Sequence, residues 1–510
     1  MSEDTDSALR SITKGAGLVF LGTVLQLGIA FLAKVVMVRF LELNEYGFVS
    51  LGIIAINFGA TVALLGLDTG VARYLPRYDR EESRRTVAYF SYLVSLSLSV
   101  LVAVSLYVFA GTISRVVFEN PSLTPVLRVM AVGIPFWTLL DLGVGITRGT
   151  SETLPRVYAK NVLLPLSRFA LVSLAILLGM GGLGVASAYV GSYALASVFM
   201  TYLVFKRLSP VFPPFGTEQR NVLEFSIPLT FSNLSSLMYR NIDLVFLGVF
   251  WGAGQVAIYN VAYPFSRLLL VGTGAFGFLF VPVVSSFHAE DELNDAKRVY
   301  QVTTKWLLLM VSPPFAVMAL FPEMSIKVLF GAKYVDGSLT LVVLAVGFFL
   351  TNATGLNGSV LTSIGRSKIV MLTDVTAMVL NVILNLLLIP EYSFLGAAIA
   401  TSVTYVGRDF ANGVVLYHLT EIHPFTTSMV RPAVFTAVAI AVIYVPVQLY
   451  LKVTLLRLVG LFVLFMFVYA AAILRLGGVD REDVMMLNAV EERSGIDLGP
   501  AKRLLVRLMG

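Results

Sequence analysis

The chain has 510 residues, 57% of them hydrophobic and only 13% charged, against about 45–50% and about 25% in ordinary globular domains. With a mean hydropathy of +0.84 there is too little polar surface to cover soluble domains of this size, so the apolar surplus must face lipid. There is no cysteine, the three histidines (His288, His418, His423) are far apart, and the net charge is +6; these exclude a disulfide framework, a thiolate zinc site and a cysteine nucleophile.

The first residues, MSEDTDSALRSITKGAG, are acidic and polar and lack the basic, apolar and small-residue segments of a cleavable signal peptide. The first span is therefore expected to direct insertion. Apolar stretches then recur at 15–40, 47–67, 86–109, 129–146, 161–178, 183–205, 225–249, 255–284, 304–320, 339–364, 369–389, 395–417, 433–451 and 458–473. Each is long enough to cross a hydrocarbon core of about 30 Å at about 1.5 Å per residue. Only helices satisfy their own backbone in lipid without closing into a barrel. The expected fold is all-α, a polytopic membrane protein with fourteen transmembrane helices.

Loop charge checks that count. Loops after even-numbered spans carry sixteen basic residues, among them Arg73, Arg77, Arg80, Arg84, Arg85, Arg148, Arg156 and Lys160, against seven after odd-numbered spans. A missed or invented helix would scramble the alternation. The bias puts both termini in the cytoplasm, with the protein in the cell (plasma) membrane. No break exceeds about twenty residues, which leaves no room for an extramembrane catalytic domain. In the tail, AKRLLVRLMG sets Lys502, Arg503 and Arg507 among leucines, as in an interfacial amphipathic helix or a solvated tail.

The two parts of the chain echo one another. Ala131-Val132-Gly133 matches Ala345-Val346-Gly347 at an offset of 214, Gly184 matches Gly396 at 212, and EYGFVSLG lies over QVAIYNVA at 210. Six spans separate the equivalents, and an even number preserves direction across the membrane. The predicted organisation is a parallel repeat of six-helix lobes at 1–208 and 209–420, two appended helices at 421–476 and a cytoplasmic tail at 477–510. Such repeats place the substrate path at the lobe interface and rock one lobe against the other.

The stretches NVILNLLLIPEYSFLGAAIATS (381–402), VLFGAKY (328–334), IYNVAYPFSRL (258–268) and GLDTGVARYLP (66–76) resemble the polysaccharide transporters, the Wzx-type flippases of the MATE-related exporter superfamily. With the fourteen-span layout, the resemblance covers nearly the whole chain. It implies a helical fold of six, six and two spans that carries lipid-linked oligosaccharide from the cytoplasmic to the outer leaflet.

Charges inside spans mark function, because each costs about 2.5–3.5 kcal/mol at a helix centre. Lys34, Arg168, Arg240, Arg267 and Arg408 are opposed by Asp141, Asp243, Asp374 and Asp409. Arg240 and Asp243 are three apart and can pair on one helix face; alternatively Arg240 holds phosphate bidentately while Asp243 tunes it. Arg267 has no acidic neighbour within one turn and needs a partner on another helix or a ligand. Pro264, just before it, is expected to bend the eighth span. Lys34 either faces a cavity or snorkels to outer headgroups. Asp68 and Arg73 flank the inner end of the second span, Arg73 as an anchor or as a first phosphate contact. The resemblance implies a cavity lined by the first, second, seventh and eighth helices, which makes Lys34, Arg73, Arg240 and Arg267 the cationic set. Peptidoglycan-precursor flippases carry a more arginine-rich first helix, and this departure argues against that substrate.

Asp374, Asn381 and Asn385 form a polar stripe on the eleventh span, for interhelical hydrogen bonds or for sugar or proton contact. Asn233, Asn352 and Asn357 begin glycosylation-like triplets that all lie within spans. There is no GxxxxGK[ST] phosphate loop and no metal-spaced cluster, so no cofactor, metal or catalytic constellation is expected. The expected substrate and partner is an isoprenoid-phosphate-linked oligosaccharide for surface polysaccharide or glycoprotein synthesis, with membrane lipids and a coupling ion as further partners and no nucleic acid. A small-molecule or drug cation antiporter is the alternative in the same fold, and would need acidic residues to dominate the first lobe, where Asp68 and Asp141 stand alone. A membrane glycosyltransferase or polymerase would need a paired-acid or metal motif on a large outer loop.

Overall fold

The computed structural model describes residues 22–475 except 24, 207, 209–215, scattered positions within 275–292 and most of 427–453. The expected thirteenth span, the tail with Lys502, Arg503 and Arg507, and both termini lie outside the described residues. Among the described residues there is no strand, and eight helices are long and apolar enough to cross a membrane. The chain divides into two units, Met1–Ala257 and Ile258–Gly510.

The first unit holds α1 (25–40), α2 (Leu43–Leu64), α3 (Leu67–Tyr74), α4 (Glu81–Thr112), α5 (Thr124–Gly149), α6 (Leu164–Leu177), α7 (Gly181–Phe205) and α8 (Thr217–Phe250). Helix α5 is its hub, packed against α2, α3, α4 and α7. Small residues make this possible, as membrane helices gain by close approach rather than by hydrophobic expulsion. A Cβ on Gly145 of α5 would sit 2.3 Å from the Asp68 carbonyl oxygen of α3, so only hydrogen fits there. The expected second span is cut at Leu65 and Gly66, both left-handed (φ 48° and 69°), which turns α3 off the end of α2. Helix α8 packs on α2 and α3. At 34 residues it is long enough to span, but it is too polar to count among the eight apolar helices.

The other helix faces confirm where lipid lies. Leu101, Val104, Val108 and Phe109 of α4 are all exposed, an apolar face that water would not tolerate on a helix of this length. Helix α4 also runs past its predicted ends at 86 and 109, to Glu81 and Thr112, because backbone hydrogen bonding does not stop where the apolar run stops.

In the second unit α9 (Ala253–Ser266), within which the division falls, passes at Arg267–Leu270 into a 3₁₀ turn. This break lies one turn beyond Pro264, which cannot donate a backbone hydrogen bond. Next come α10 (Leu293–Leu320), α11 (Pro322–Leu329), α12 (Ser338–Ala353), α13 (Asn357–Ser363), α14 (Ser367–Thr420) and α15 (Leu455–Arg475). Helix α14 is two helices joined across Ser393 (φ 51°, ψ −133°), and so contains the predicted eleventh and twelfth spans as a hairpin. Helix α12 packs on α10 and α14. The predicted tenth span, 339–364, is not continuous: it breaks at Thr354–Leu356, where Gly355 has φ 77°. Asn352 donates 3.2 Å to the Leu269 carbonyl and accepts from Thr273 at 2.6 Å, so it ties this region to the 3₁₀ turn and satisfies backbone that the turn leaves over.

Candidate functional site

The charged residues of the first unit fall into two classes. In the first class the charge is answered within the protein. Asp141 on α5 pairs with Lys160, which sits on a π-helical turn at Val157–Leu163; the extra residue in such a turn re-aims side chains, and these turns are common at functional positions. The Lys160 ammonium also lies 5.2 Å from the Trp137 ring. Trp137 in turn packs 4.7 Å from Tyr193. Arg168 is held between the Tyr189 and Tyr193 rings at 4.5 and 4.8 Å, with Nε donating to Ser192 Oγ at 3.5 Å. Two aromatic faces lower the cost of a half-buried guanidinium.

In the second class the cation is exposed. Arg73 lies 4.2 Å over Phe225 of α8, and Asp68 accepts a 3.3 Å hydrogen bond from its neighbour Thr69. The end of α3 is fastened to the start of α8 by Tyr78, whose hydroxyl donates to the Glu218 carbonyl at 3.3 Å. Burial, and then the Glu218 carboxylate, push the Tyr78 phenol above its ordinary value, so it remains a donor at neutral pH.

The Arg240–Asp243 pair does not form. Arg240 is exposed and its Nε turns back to the Ser236 carbonyl at 3.1 Å, whereas Asp243 is 4% exposed and accepts from the Leu244 amide at 2.9 Å. Three residues on a helix put two side chains on neighbouring, not identical, faces, and here one faces the unit's interior. Ser232, Asn233, Ser235 and Ser236 are exposed beside Arg240. Arg240 stands fifteen residues beyond Phe225, about 22 Å along the helix. Arg73 and Arg240 are therefore strung along α8 and not gathered in one site. Lys34, on α1, is half-buried.

In the second unit Arg267 is exposed, its guanidinium 5.9 Å from the Tyr263 ring; no carboxylate pairs with it among the described residues. The predicted stripe Asp374–Asn381–Asn385 splits. Asn381 (3% exposed) donates to Thr404 at 3.3 Å and accepts from Asn385 at 3.0 Å, which is the interhelical fastening expected of amides. Asp374 instead lies 3.7 Å from Arg408, whose Nη2 and Nε also donate to Asp409 at 2.9 and 3.0 Å. These three charges line a cavity of about 510 Å³ with Asn357, Asn412, Tyr405, Thr273 and other residues of the broken spans. Arg408 and Asp409 were visible in the sequence as span charges, but nothing there showed that Asn357 and Asn412 join them. Among the described residues no group of His, Asp or Glu is placed to hold a metal ion.

A family model described as polysaccharide biosynthesis protein matches residues 12–288, and one described as MatE matches residues 228–387. An uncharacterized membrane protein of Methanocaldococcus jannaschii, MJ1068, is 27% identical over 72% of this chain and 78% of its own length. The probable low-salt glycan biosynthesis flippase Agl15 of Haloferax volcanii is 23% identical over 38% of this chain, and the match spans 41% of that protein. Among solved structures, the lipid II flippase MurJ in an inward closed conformation superimposes with a TM-score of 0.70 at 13% identity, covering 90% of this chain and 98% of that one. At that identity the likeness is one of fold.

Proposed function

The chain belongs to the polysaccharide biosynthesis protein family, and from that premise we propose that it is a flippase for an isoprenoid-phosphate-linked oligosaccharide. It moves this lipid from the cytoplasmic to the outer leaflet by alternating access, for surface polysaccharide or glycoprotein synthesis, from a membrane position with both termini in the cytoplasm. The two-lobed repeat of 1–208 and 209–420, with two appended helices, is the frame of that cycle.

The observation that carries the reading is the exposed face of α8. Arg240, Ser232, Asn233, Ser235 and Ser236 are exposed on it, beside the exposed Phe231 and Met238, on a helix of 34 residues, whereas the exposed surface of α4 is chiefly leucine, valine and phenylalanine. A polar face and a guanidinium on a membrane helix are kept out of acyl chains by facing water. A phosphate entering from the cytoplasm meets Arg73 first and Arg240 deeper in. Lys34 in the first unit and Arg267 in the second are the further cations assigned to the anion. Planar guanidinium groups suit bidentate phosphate contacts, and their low number keeps each contact releasable.

The test is reconstitution in sealed vesicles with a fluorescent polyprenyl-phosphate-linked oligosaccharide, scored by loss of access to a membrane-impermeant glycan-cleaving enzyme. Protein-dependent redistribution is expected. Redistribution no faster than in protein-free vesicles, together with uptake of a cationic dye against a proton or sodium gradient, would replace this reading with the antiporter.

A further inference from the structure

The cavity in the second unit is not explained by phosphate handling. Two predicted spans leave α-helical pairing at its wall: the eighth at Arg267–Leu270, contributing Leu270 and Thr273, and the tenth at Thr354–Leu356. Irregular backbone at membrane depth survives only where protein covers it or where it lines a wet cavity, and interrupted helices mark binding sites in transporters. A volume of about 510 Å³ falls within the range of small-molecule clefts, about 300–1,000 Å³.

The charge arrangement selects the ligand. Arg408 lies between the carboxylates of Asp409 and Asp374, so the site already holds its own cation. A metal ion or an ammonium group would meet a guanidinium fixed 2.9 Å from one of the carboxylates it needs. A phosphate would meet two carboxylates. A neutral polyhydroxylated ring suffers neither repulsion, and each hydroxyl both donates and accepts. Asp374, with 53% of its side chain exposed, is an acceptor available to such a ring. The amides are held in place beforehand. Asn357 accepts from Tyr300 and donates to the Asp409 carbonyl at 3.0 Å, while Asn412 accepts from Thr373 at 2.8 Å. Fixed polar groups of both kinds around a cavity are what discriminate one sugar from another.

We propose that this cavity is a saccharide subsite that holds a neutral sugar of the glycan while the phosphate is bound by arginines elsewhere; this rests on the flippase reading and assigns the glycan its own place within it. By the loop-charge topology Asp374, Arg408 and Asp409 lie in the cytoplasmic halves of their spans. The subsite therefore meets the glycan on the side where the lipid-linked substrate is loaded.

The experiment uses the full chain in lipid nanodiscs and free glucose, galactose, mannose and N-acetylglucosamine, each alone, with saturation-transfer NMR as the readout of binding. At least one sugar is expected to show transfer, weakened by about tenfold or more in Asp374→Asn, which removes a charged acceptor from an exposed side chain and leaves the fold intact. Arg220→Ala, which alters a 69%-exposed side chain paired with Glu224 far from the cavity in sequence, is expected to keep the signal. Absence of transfer for all these sugars, equal transfer in Asp374→Asn, or displacement of the sugar by sodium chloride but not by choline chloride would overturn the subsite, the last result making it a cation site. Lipid-linked glycan flipping measured on the same preparations separates the two claims. Flipping without Asp374-dependent sugar binding removes the subsite alone, and sugar binding without flipping removes the flippase reading alone.

Discussion

Arg408 offers a quantitative test of how the second unit holds its charges. The guanidinium is bonded at 2.9 and 3.0 Å to Asp409, whose side chain is 12% exposed, and stands 3.7 Å from Asp374, whose side chain is 53% exposed. Removing one partner of a fully buried pair costs about 3–5 kcal/mol, because the other charge is left uncompensated. Arg408 itself is 24% exposed, and water reaching the pair reduces the figure to about 2–3 kcal/mol for Arg408→Ala. Asp374→Ala breaks only the long, solvated contact and is expected to cost about 0–1 kcal/mol. Neutralising both members, Arg408→Gln with Asp409→Asn, is expected to recover most of the loss, since the one charge left without its partner, Asp374, is 53% exposed to solvent. The assay is reversible unfolding by sodium dodecyl sulfate in mixed micelles, followed by the fluorescence of the chain's 3 tryptophans. Equal losses for Arg408→Ala and Asp374→Ala, or a double variant no better than Arg408→Ala, would refute the reasoning.

Other outcomes follow from the same geometry. Arg267→Ala is expected to abolish flipping in vesicles with the unfolding midpoint unchanged, because among the described residues the guanidinium has only the Tyr263 ring, at 5.9 Å; wild-type flipping would take it out of the set of phosphate contacts. Gly47→Ala drives a Cβ to 1.9 Å from the Ala253 carbonyl oxygen, and the forced separation of backbone is expected to cost about 1–3 kcal/mol or more, read as a lower unfolding midpoint. Asn381→Ala removes the bond to Thr404 and is expected to cost about 0.6–2 kcal/mol, more than Thr362→Ala, whose hydroxyl bonds only its own helix; the reverse order would deny Asn381 its fastening role.

Much of the frame was legible because lipid imposes a length rule. The predicted span 183–205 differs from α7 by two residues at one end, and the hairpin of the eleventh and twelfth spans turns at Pro390 and Ser393, inside the predicted gap. Helix ends were less legible. Helix α10 is already formed at Leu293, ahead of the predicted 304, since hydropathy marks where lipid ends and not where hydrogen bonding ends. Pro264 announced the break in the eighth span. The break at Gly355 had a weaker signal, a glycine after Asn352 and Thr354 in an otherwise apolar run, and the asparagines on either side look in sequence like failed glycosylation triplets. The cavity itself was out of reach. Its polar lining residues come from positions as far apart as Thr273 and Asn412, and apolar periodicity carries no information on which face of one span meets which face of another. The same blindness made Arg240 and Asp243 look like a pair, where burial sends one inward and leaves the other exposed.

The cations of this chain differ in what answers them, and that difference separates structure from function. Lys160 has Asp141 and Trp137, Arg168 has two tyrosine rings, and Arg408 has two aspartates. Each of these offsets its insertion cost within its own unit and needs nothing further to be stable. Arg240 and Arg267 touch one carbonyl and one ring respectively, and Arg73, at the end of its helix, lies against the Phe225 and Tyr74 rings at 4.2 and 6.0 Å. Among the described residues none of the three pairs with a carboxylate, so for Arg240 and Arg267 the insertion cost of about 2.5–3.5 kcal/mol at a helix centre is not met by an ion pair. Under the proposed function, water meets it in the empty carrier and the substrate phosphate in the loaded one. A carrier whose arginines were all paired would have to break an ion pair to bind phosphate, whereas these exchange only water. On that reading, weak contacts favour release as much as capture, as a flippase with no ATP-binding loop requires.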